Sequence, residues 1–301
     1  MKFTEETPLT QILDALFTTY EERVPDVRKI TQGMIRAGMV KSQTEIINDH
    51  IAFRTMGVPN LGIASFEKIF LAHGYTKKDF YHFEAKKLDA YWYAPPREDL
   101  PRIFISELKV NLLPPRVQQI IYKYTHTVNS DPVDRLDLNN SKEVAAFFQT
   151  PLWSLPTLED YEALLNESEY AAWVIYNRYY LNHYTISVHD LPGVYAQLES
   201  FNEFVKSLGI RLNNAGGEIK TSGDGLLRQS SSVANQVEAQ FAEGAIKKIS
   251  GSYVEFAERS ILPEFKELDA SALLRKHRRE GFEASNADKI FESTFTSQLK
   301  K

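Results

Sequence analysis

The order of predicted elements repeats once along this chain, and the repeat constrains the fold more than any other feature of the sequence. The segment "HIAFRTM" begins at His50, alternates like a strand, and is followed by the amphipathic helix "LGIASFEKIFLAHGY" and further strand-like runs. The segment "HYTISV" begins at His183, 183 − 50 = 133 residues later, and opens the same order again. Two copies of one supersecondary unit predict an α+β fold in which two βαβββ modules form one curved, partly closed sheet.

The other segments read as helical additions to these two modules. Residues 7–39 carry apolar residues at helical spacing on both sides of Pro25, and residues 114–180 are also mostly helical in pattern. "IKKISGSYVEFAER", residues 246–259, is predicted as one closing strand. We predict a single catalytic domain over residues 1–301. Its parts are N-terminal helices (1–43), a first βαβββ module (44–113), a helical connector (114–180), a second module (181–259) and a C-terminal helical tail (260–301).

Charge and composition exclude several classes of partner. The net charge is −5, the isoelectric point is near 5.9, and no basic stripe is present, which disfavours nucleic acid and anionic membranes. The chain has no cysteine, so any metal must be bound by histidine and carboxylate. Acidic residues near the N-terminus and the lack of a run of about 18 apolar residues are atypical of a signal peptide or a membrane span. We therefore expect a cytosolic protein that acts on small molecules.

Polar residues on the strands of the two modules form a candidate metal site. Side chains alternate along a strand, so His50 and Arg54 share one face of the first strand. His183 lies early in the corresponding strand of the second module, and Glu255 lies in its closing strand. If these faces line one concave sheet, two imidazoles and one carboxylate converge. This donor set is typical of non-haem Fe(II) sites, which leave positions open for a chelating substrate and O₂.

Arg54 suggests how a substrate would be oriented in such a site. Arg54 follows His50 by four positions, so its Cα lies roughly 13 Å from that of His50 at about 3.3 Å per strand residue. A guanidinium at that distance could bind the far carboxylate of a substrate whose other end chelates the metal. The pattern favours a dicarboxylate over a monocarboxylate.

Other interpretations of the same residues stay open at this point. A histidine in a strand is more often a hydrogen-bonded structural residue than a ligand, and a lone glutamate usually faces solvent. Arg54 could equally form an ion pair with Asp49 or Glu45. The closing strand of the first module carries Glu107 where that of the second carries Glu255. The repeat alone therefore does not decide which glutamate would bind a metal.

Three motifs together resemble a known enzyme family. "NDHIAFRT", "LNHYTISVHDL" and "GSYVEFAERSILP", in this order, are similar to the 2-oxoadipate dioxygenase/decarboxylases, or 2-hydroxyglutarate synthases, of the vicinal oxygen chelate superfamily. The resemblance spans nearly the whole chain. It implies that His50, His183 and Glu255 bind Fe(II), that Arg54 binds the substrate carboxylate, and that no catalytic group is needed beyond the metal ligands. Glu107 is left as a pocket acid or a partner of a metal ligand.

The resemblance also implies a reaction. Such an enzyme converts 2-oxoadipate and O₂ to 2-hydroxyglutarate and CO₂ in lysine catabolism, through chelation of the substrate to the iron and ferryl hydroxylation. The sequence does not define the exact 2-oxo acid or the oligomeric state. Two alternatives belong to other classes: a glyoxalase-like Zn²⁺ or Ni²⁺ isomerase or lyase that acts on a 2-oxo acid without O₂, and a metal-free protein that binds a small molecule.

Overall fold

A computed structural model describes residues 3 and 5–300, so residues 1, 2, 4 and 301 of the predicted terminal segments lie outside the described part. None of the described helices has the length and apolar composition needed to span a bilayer. The α-helices are α1 (Pro8–Arg23), α2 (Pro25–Arg36), α3 (Ile63–Ala72), α4 (Pro115–Thr125), α5 (Ser141–Gln149), α6 (Leu158–Glu167), α7 (Glu169–Asn177), α8 (Leu198–Ser207), α9 (Ala284–Phe291) and α10 (Thr296–Leu299). The strands are β1 (Asn48–Met56), β2 (Thr76–Phe83), β3 (Leu88–Ala94), β4 (Arg102–Leu108), β5 (His183–Ser187), β6 (Lys220–Thr221), β7 (Leu227–Ser231), β8 (Gln236–Gln240), β9 (Ile246–Ser250) and β10 (Tyr253–Arg259).

The main sheet has eight strands in the order β2-β3-β4-β1-β5-β10-β7-β6. The first half is built from β1, α3, β2, β3 and β4, with β1 and β4 parallel. The second half repeats this with β5, α8, β6, β7 and β10, and β5 and β10 are likewise parallel. The halves join where β1 and β5 pair in antiparallel fashion. This topology confirms the predicted pair of βαβββ modules in one sheet.

Strand β1 lies at the centre of the sheet, and all nine of its residues are buried. One face is apolar: the ring of Phe53 lies 4.8 Å from that of Phe66 on α3 and 5.7 Å from that of Phe70. The opposite face carries His50 and Arg54, as alternation predicts. Helix α3 therefore fixes one side of β1 through aromatic packing, and the other side is left for polar chemistry.

The N-terminal hairpin braces the two strands that carry half of the site. Helix α1 begins at Pro8, after Thr7, whose side chain accepts a hydrogen bond from the backbone of Thr10 in a capping box. Further along α1, the buried hydroxyl of Tyr20 donates to the backbone carbonyl of Tyr253 on β10 and accepts from the backbone N–H of Tyr184 on β5. One phenol thus connects α1 to both strands.

The closing strand predicted over residues 246–259 is wrong as a single element. The chain forms β9 and β10 instead, and β9 pairs with β8 in a separate two-stranded sheet. The break falls at Gly251, whose backbone N–H donates to the carbonyl of Asn235 at 2.8 Å. A Cβ at this position would lie 2.9 Å from that carbonyl oxygen, so the close approach requires glycine.

Glu107 does not enter the pocket, which corrects the expectation that it is a pocket acid or a partner of a metal ligand. It lies opposite Thr55 in the β1–β4 register, on the face that packs against α3. Its Oε2 accepts a hydrogen bond from the backbone N–H of Ile63 at 2.8 Å, at the first turn of α3. A carboxylate here accepts a hydrogen bond from an N–H that has no partner within the helix. It also interacts favourably with the positive end of the helix dipole.

The sheet register shows which residues of the two modules are equivalent. His50 pairs with Arg102 in the first module, and His183 pairs with Tyr253 in the second, so two residues further on Phe104 corresponds to Glu255. The counterpart of Glu107 is Glu258. The latter also accepts a hydrogen bond at the first turn of a helix, from Leu198 N of α8 at 2.8 Å. The two glutamates therefore share a structural role, and Glu255 has no acidic counterpart.

Candidate metal centre

The sheet brings the three predicted metal ligands together at the junction of the modules. His50 lies on β1, His183 on β5 and Glu255 on β10, and one ligand atom from each lies within 4.8 Å of the others. The two Nε2 atoms are 3.4 Å apart, and the Glu255 carboxylate oxygens lie 3.4 Å from His50 Nε2 and 3.1 Å from His183 Nε2. All three side chains are buried. Residues from both modules are thus needed to form the cluster.

Each histidine is oriented by the residue that precedes it. Asp49 Oδ1 lies 2.8 Å from His50 Nδ1, and Asn182 Oδ1 lies 3.1 Å from His183 Nδ1. Both oxygens are acceptors, so both rings carry a proton on Nδ1, and Nε2 is the nitrogen that each ring turns towards the centre. Partners of this kind are typical of metal-binding histidines, because they fix the tautomer and the orientation of the ring.

The charges of the cluster are strongly coupled. Burial lowers the pKa of His50, but the Glu255 and Asp49 carboxylates outweigh burial, so the net shift is upward. The pKa of His183 falls to about 3 because burial dominates, opposed by Glu255. Burial raises the pKa of Glu255, and the two histidines more than reverse this. At neutral pH the cluster therefore contains a carboxylate and at least one neutral imidazole.

The cluster contains an acceptor for which the described residues provide no hydrogen-bond donor, and a cation held here would compensate it. Thr185 Oγ1 lies 3.0 Å from His50 Nε2, whereas Glu255 Oε2 accepts no hydrogen bond although it is buried. Gln229 Nε2 donates to the other oxygen, Oε1, at 2.7 Å and so holds the carboxylate in place. Two imidazoles and one carboxylate match the facial donor set of non-haem iron sites. The residues present therefore fit a divalent transition metal.

Arg54 lies at the other end of the same face and is buried without an acidic partner among the described residues. Its Nη1 donates to Thr294 Oγ1 at 3.0 Å and its Nη2 to the Phe291 carbonyl at 3.1 Å, while Nε makes no hydrogen bond. The guanidinium carbon lies 5.1 Å from the ring of Tyr170 and 5.2 Å from that of Trp173. Aromatic faces stabilise such a cation only in part, so the site favours an incoming anion.

Asp49 is the main residue of the site that the sequence did not identify. Arg54 pairs with neither of the acids considered for it: Glu45 accepts from the backbone of Lys41, and Asp49 is held by two other arginines. Arg259 contacts both oxygens of Asp49, through Nε at 2.6 Å and Nη2 at 2.9 Å. Arg102 Nη1 adds a third contact, to Asp49 Oδ2 at 3.1 Å. The only local signal was the position of Asp49 beside a candidate ligand.

Between the metal cluster and Arg54 lies a small cavity covered by the C-terminal segment. Its volume is about 20 Å³, room for about one water molecule. The cover is formed by four residues of the C-terminal segment, namely Phe282, Ala287, Ile290 and Phe291. The Phe282 ring stands edge-on to the His50 ring at 4.8 Å. A substrate larger than water must displace part of this cover to enter.

Comparisons with known proteins agree on one family. Residues 12–270 match the family model described as 2-oxoadipate dioxygenase/decarboxylase. The chloroplastic 2-oxoadipate dioxygenase/decarboxylase of Arabidopsis thaliana is 41% identical over 314 residues, which cover 100% of this chain and 81% of that protein. The crystal structure of the hydroxyglutarate synthase from Oryza sativa in complex with 2-oxoadipate has a TM-score of 0.87 and 41% identity, covering 96% of this chain and 93% of that chain. A glyoxalase superfamily protein from Ralstonia eutropha shares the fold, with a TM-score of 0.67 at 22% identity and coverage of 91% and 85%. The chain therefore belongs to the 2-oxoadipate dioxygenase/decarboxylase family, a family of enzymes.

Proposed function

We propose that the protein is an Fe(II)-dependent dioxygenase that converts 2-oxoadipate and O₂ to 2-hydroxyglutarate and CO₂. The observation that carries the proposal is the pairing of two features in one cavity: a His50, His183 and Glu255 cluster at one end and the uncompensated Arg54 guanidinium at the other. The 2-oxoadipate named in the complex of the rice relative has the two ends that such a cavity would bind.

The proposed reaction balances without an external reductant. The bond between C1 and C2 breaks, CO₂ leaves, one oxygen atom enters the new carboxylate and the other forms the hydroxyl group on the neighbouring carbon. Ferrous iron would supply chelation of the 2-oxo acid and the electrons that activate O₂. His50, His183 and Glu255 would hold it and leave one face free, while Asp49 and Asn182 keep the imidazoles oriented.

Arg54 supports a dicarboxylic substrate. A charged hydrogen bond to a carboxylate would satisfy its free Nε and compensate a buried charge. The cover over the cavity shields it from bulk water, which strengthens this contact and protects the reacting centre from side reactions. Binding at both ends fixes the carbon chain, so that only one position beside the new carboxylate is presented for hydroxylation.

The test is stoichiometric turnover by iron-loaded protein. We expect one O₂ consumed and one CO₂ released per 2-oxoadipate, with ¹⁸O from ¹⁸O₂ in both the carboxylate and the hydroxyl group of 2-hydroxyglutarate. His183→Ala should abolish turnover and iron retention together. Absence of O₂ uptake by iron-loaded protein would refute the dioxygenase assignment, and turnover under anaerobic conditions with Zn²⁺ or Ni²⁺ would identify a glyoxalase-like enzyme instead.

A role in lysine catabolism and a cytosolic location stay predictions. The Arabidopsis relative is named as chloroplastic, so the compartment must be measured for this protein itself. Cell fractionation with an antibody to the native chain would establish it. Accumulation of 2-oxoadipate in cells that lack the protein and are fed lysine would support the pathway.

A further inference from the structure

Several buried polar atoms that make no hydrogen bond line the same cavity. Among the described residues, Arg54 Nε, Asn182 Nδ2, Tyr253 OH and Glu255 Oε2 all lie on its wall. Glu255 Oε2 would be a ligand of the proposed metal, which accounts for its lack of a hydrogen bond. Asn182 lies beside His183, whose ring it orients. The side chains of Arg54 and Tyr253 lie close enough to interact with each other, and Tyr253 also lies near Ser293. Arg54 Nε and Tyr253 OH nevertheless make no well-formed hydrogen bond within the described residues, and a buried donor without one is costly.

The sheet register places Tyr253 between the metal cluster and Arg54. In the β1–β5 pairing, Ala52 lies opposite His183, and in the β5–β10 pairing His183 lies opposite Tyr253. Ala52 is the residue between His50 and Arg54 on the pocket face of β1. The Tyr253 ring packs against that of His183, with centroids 4.8 Å apart. The phenol therefore runs along the cavity from the metal end towards the guanidinium.

The hydroxyl of Tyr253 is available as a donor next to Arg54. A phenol carries its proton at neutral pH, so the hydroxyl of Tyr253 can donate a hydrogen bond. The Tyr253 side chain is fully buried, with 0% of its surface exposed, so bulk water does not reach its hydroxyl. Each terminal nitrogen of Arg54 already donates to the C-terminal segment, which leaves Nε as the donor without a partner.

We propose that Tyr253 is a specificity-determining residue, whose hydroxyl donates to one oxygen of the distal substrate carboxylate while Arg54 Nε donates to the other. The inference rests on the proposed function and adds a second recognition contact to it. A monocarboxylic 2-oxo acid of the same length would leave both donors unpaired in a closed cavity. Sites built to hydrogen-bond a substrate group discriminate strongly against analogues that lack it.

The experiment compares Tyr253→Phe with Tyr179→Phe. Tyr179 is a matched control, because its hydroxyl is also buried, but it lies outside the cavity, near Phe66, Phe147 and the backbone of Gly62. For each protein, kcat and KM are measured with 2-oxoadipate and with 2-oxohexanoate, the monocarboxylate of equal chain length. We expect Tyr253→Phe to lower the preference for 2-oxoadipate about tenfold, mainly through KM, and Tyr179→Phe to leave the preference at the wild-type value.

A binding measurement separates this inference from the proposed function. Under anaerobic conditions, absorption of the chelate between Fe(II) and the 2-oxo acid gives the dissociation constant without turnover. Tyr253→Phe should raise it about tenfold for 2-oxoadipate and leave iron affinity at the wild-type value. An equal loss for both ligands, or no loss for either, would overturn the role of Tyr253. If the wild-type protein consumes no O₂, the proposed function fails, and the same binding comparison still decides whether Tyr253 recognises the distal carboxylate.

Discussion

Asp49→Asn tests how far the metal site depends on the charge cluster behind it. The Asp49 carboxylate is buried, contacts Arg259 through two hydrogen bonds and Arg102 through one, and accepts from His50 Nδ1 at 2.8 Å. Asparagine keeps the shape and one acceptor oxygen but removes the negative charge. Two arginines, each with no more than 2% of the side chain exposed, then lose a compensating carboxylate.

The magnitude follows from the cost of removing one partner from a buried ion pair. This cost is typically about 3–5 kcal/mol, because the remaining charge is left uncompensated. For a protein of this size, 1 kcal/mol corresponds to about 2 °C in melting temperature, so we expect Tm to fall by about 6–10 °C. Loss of the carboxylate that orients His50 should also weaken metal binding about 10- to 100-fold.

The assay is thermal unfolding by circular dichroism in the metal-free state, followed by Co²⁺ titration at a temperature where both proteins are folded. Asp134→Asn is the control, because Asp134 pairs with Lys68 at the surface and 61% of its side chain is exposed. An exposed pair contributes less than about 1 kcal/mol. If Asp49→Asn and Asp134→Asn melt within 2 °C of each other, the buried cluster does not stabilise the fold as argued.

Three further predictions concern the metal and the substrate. His50→Ala should lose stoichiometric iron, measured by metal analysis, and retention of iron would mean that the cluster is not the metal site. Arg54→Ala should raise the dissociation constant of 2-oxoadipate at least tenfold while iron binding changes little, and the reverse pattern would contradict its role as the substrate anchor. The net pKa of His50 is raised because Glu255 and Asp49 outweigh burial, so protons compete with the metal above pH 6.5. Co²⁺ affinity should therefore rise with pH from 6 to 8, and a flat profile would refute this coupling.

The sequence revealed those features of the site that depend on local alternation. His50 and Arg54 lie two steps apart on one strand, so their shared face follows from the geometry of any strand. The repeated order of elements likewise sufficed for the two-module sheet. The sequence did not predict the break between β9 and β10 at Gly251, because the alternation of apolar and polar residues continues across it. The close approach of the Asn235 carbonyl to Gly251 accounts for the break.

Alternation along a strand and the order of elements do not predict contacts between segments that are distant in the sequence. Arg259 reaches Asp49 across 210 residues, and no periodicity links the two positions. Alternation even places Asp49 and His50 on opposite faces. The register of β1 against β5 shifts between Asn48 and Ile51, so the regular pattern is interrupted where Asp49 turns to the His50 ring. The contact between Asp49 and His50 depends on an irregular strand, so alternation along a regular strand does not predict it.

Register also explains why the position of a glutamate along a module was a misleading guide. Glu107 and Glu255 both lie on closing strands, but the first faces a helix and the second faces the pocket, since they differ by an odd number of residues in the aligned register. Glu107 and Glu258 occupy equivalent positions in the two modules, and both accept a hydrogen bond at the start of a helix, α3 and α8 respectively. The equivalent of Glu255 became Phe104, which removes a second carboxylate from the cavity.

The two modules contribute different side chains to the cavity, so its two ends differ in charge. Both modules contribute a histidine to the cluster, but only the second supplies the carboxylate proposed as a metal ligand, Glu255. Only the first supplies the arginine proposed as the substrate anchor, since Ser187 is the counterpart of Arg54. A symmetric site would bind either end of a diacid equally well. Here the proposed metal cluster lies at one end and the guanidinium at the other, so we expect a 2-oxo dicarboxylate to have one favourable orientation. Neither module alone holds all three ligands, and the β1–β5 pairing that joins the modules is therefore a condition for the chemistry.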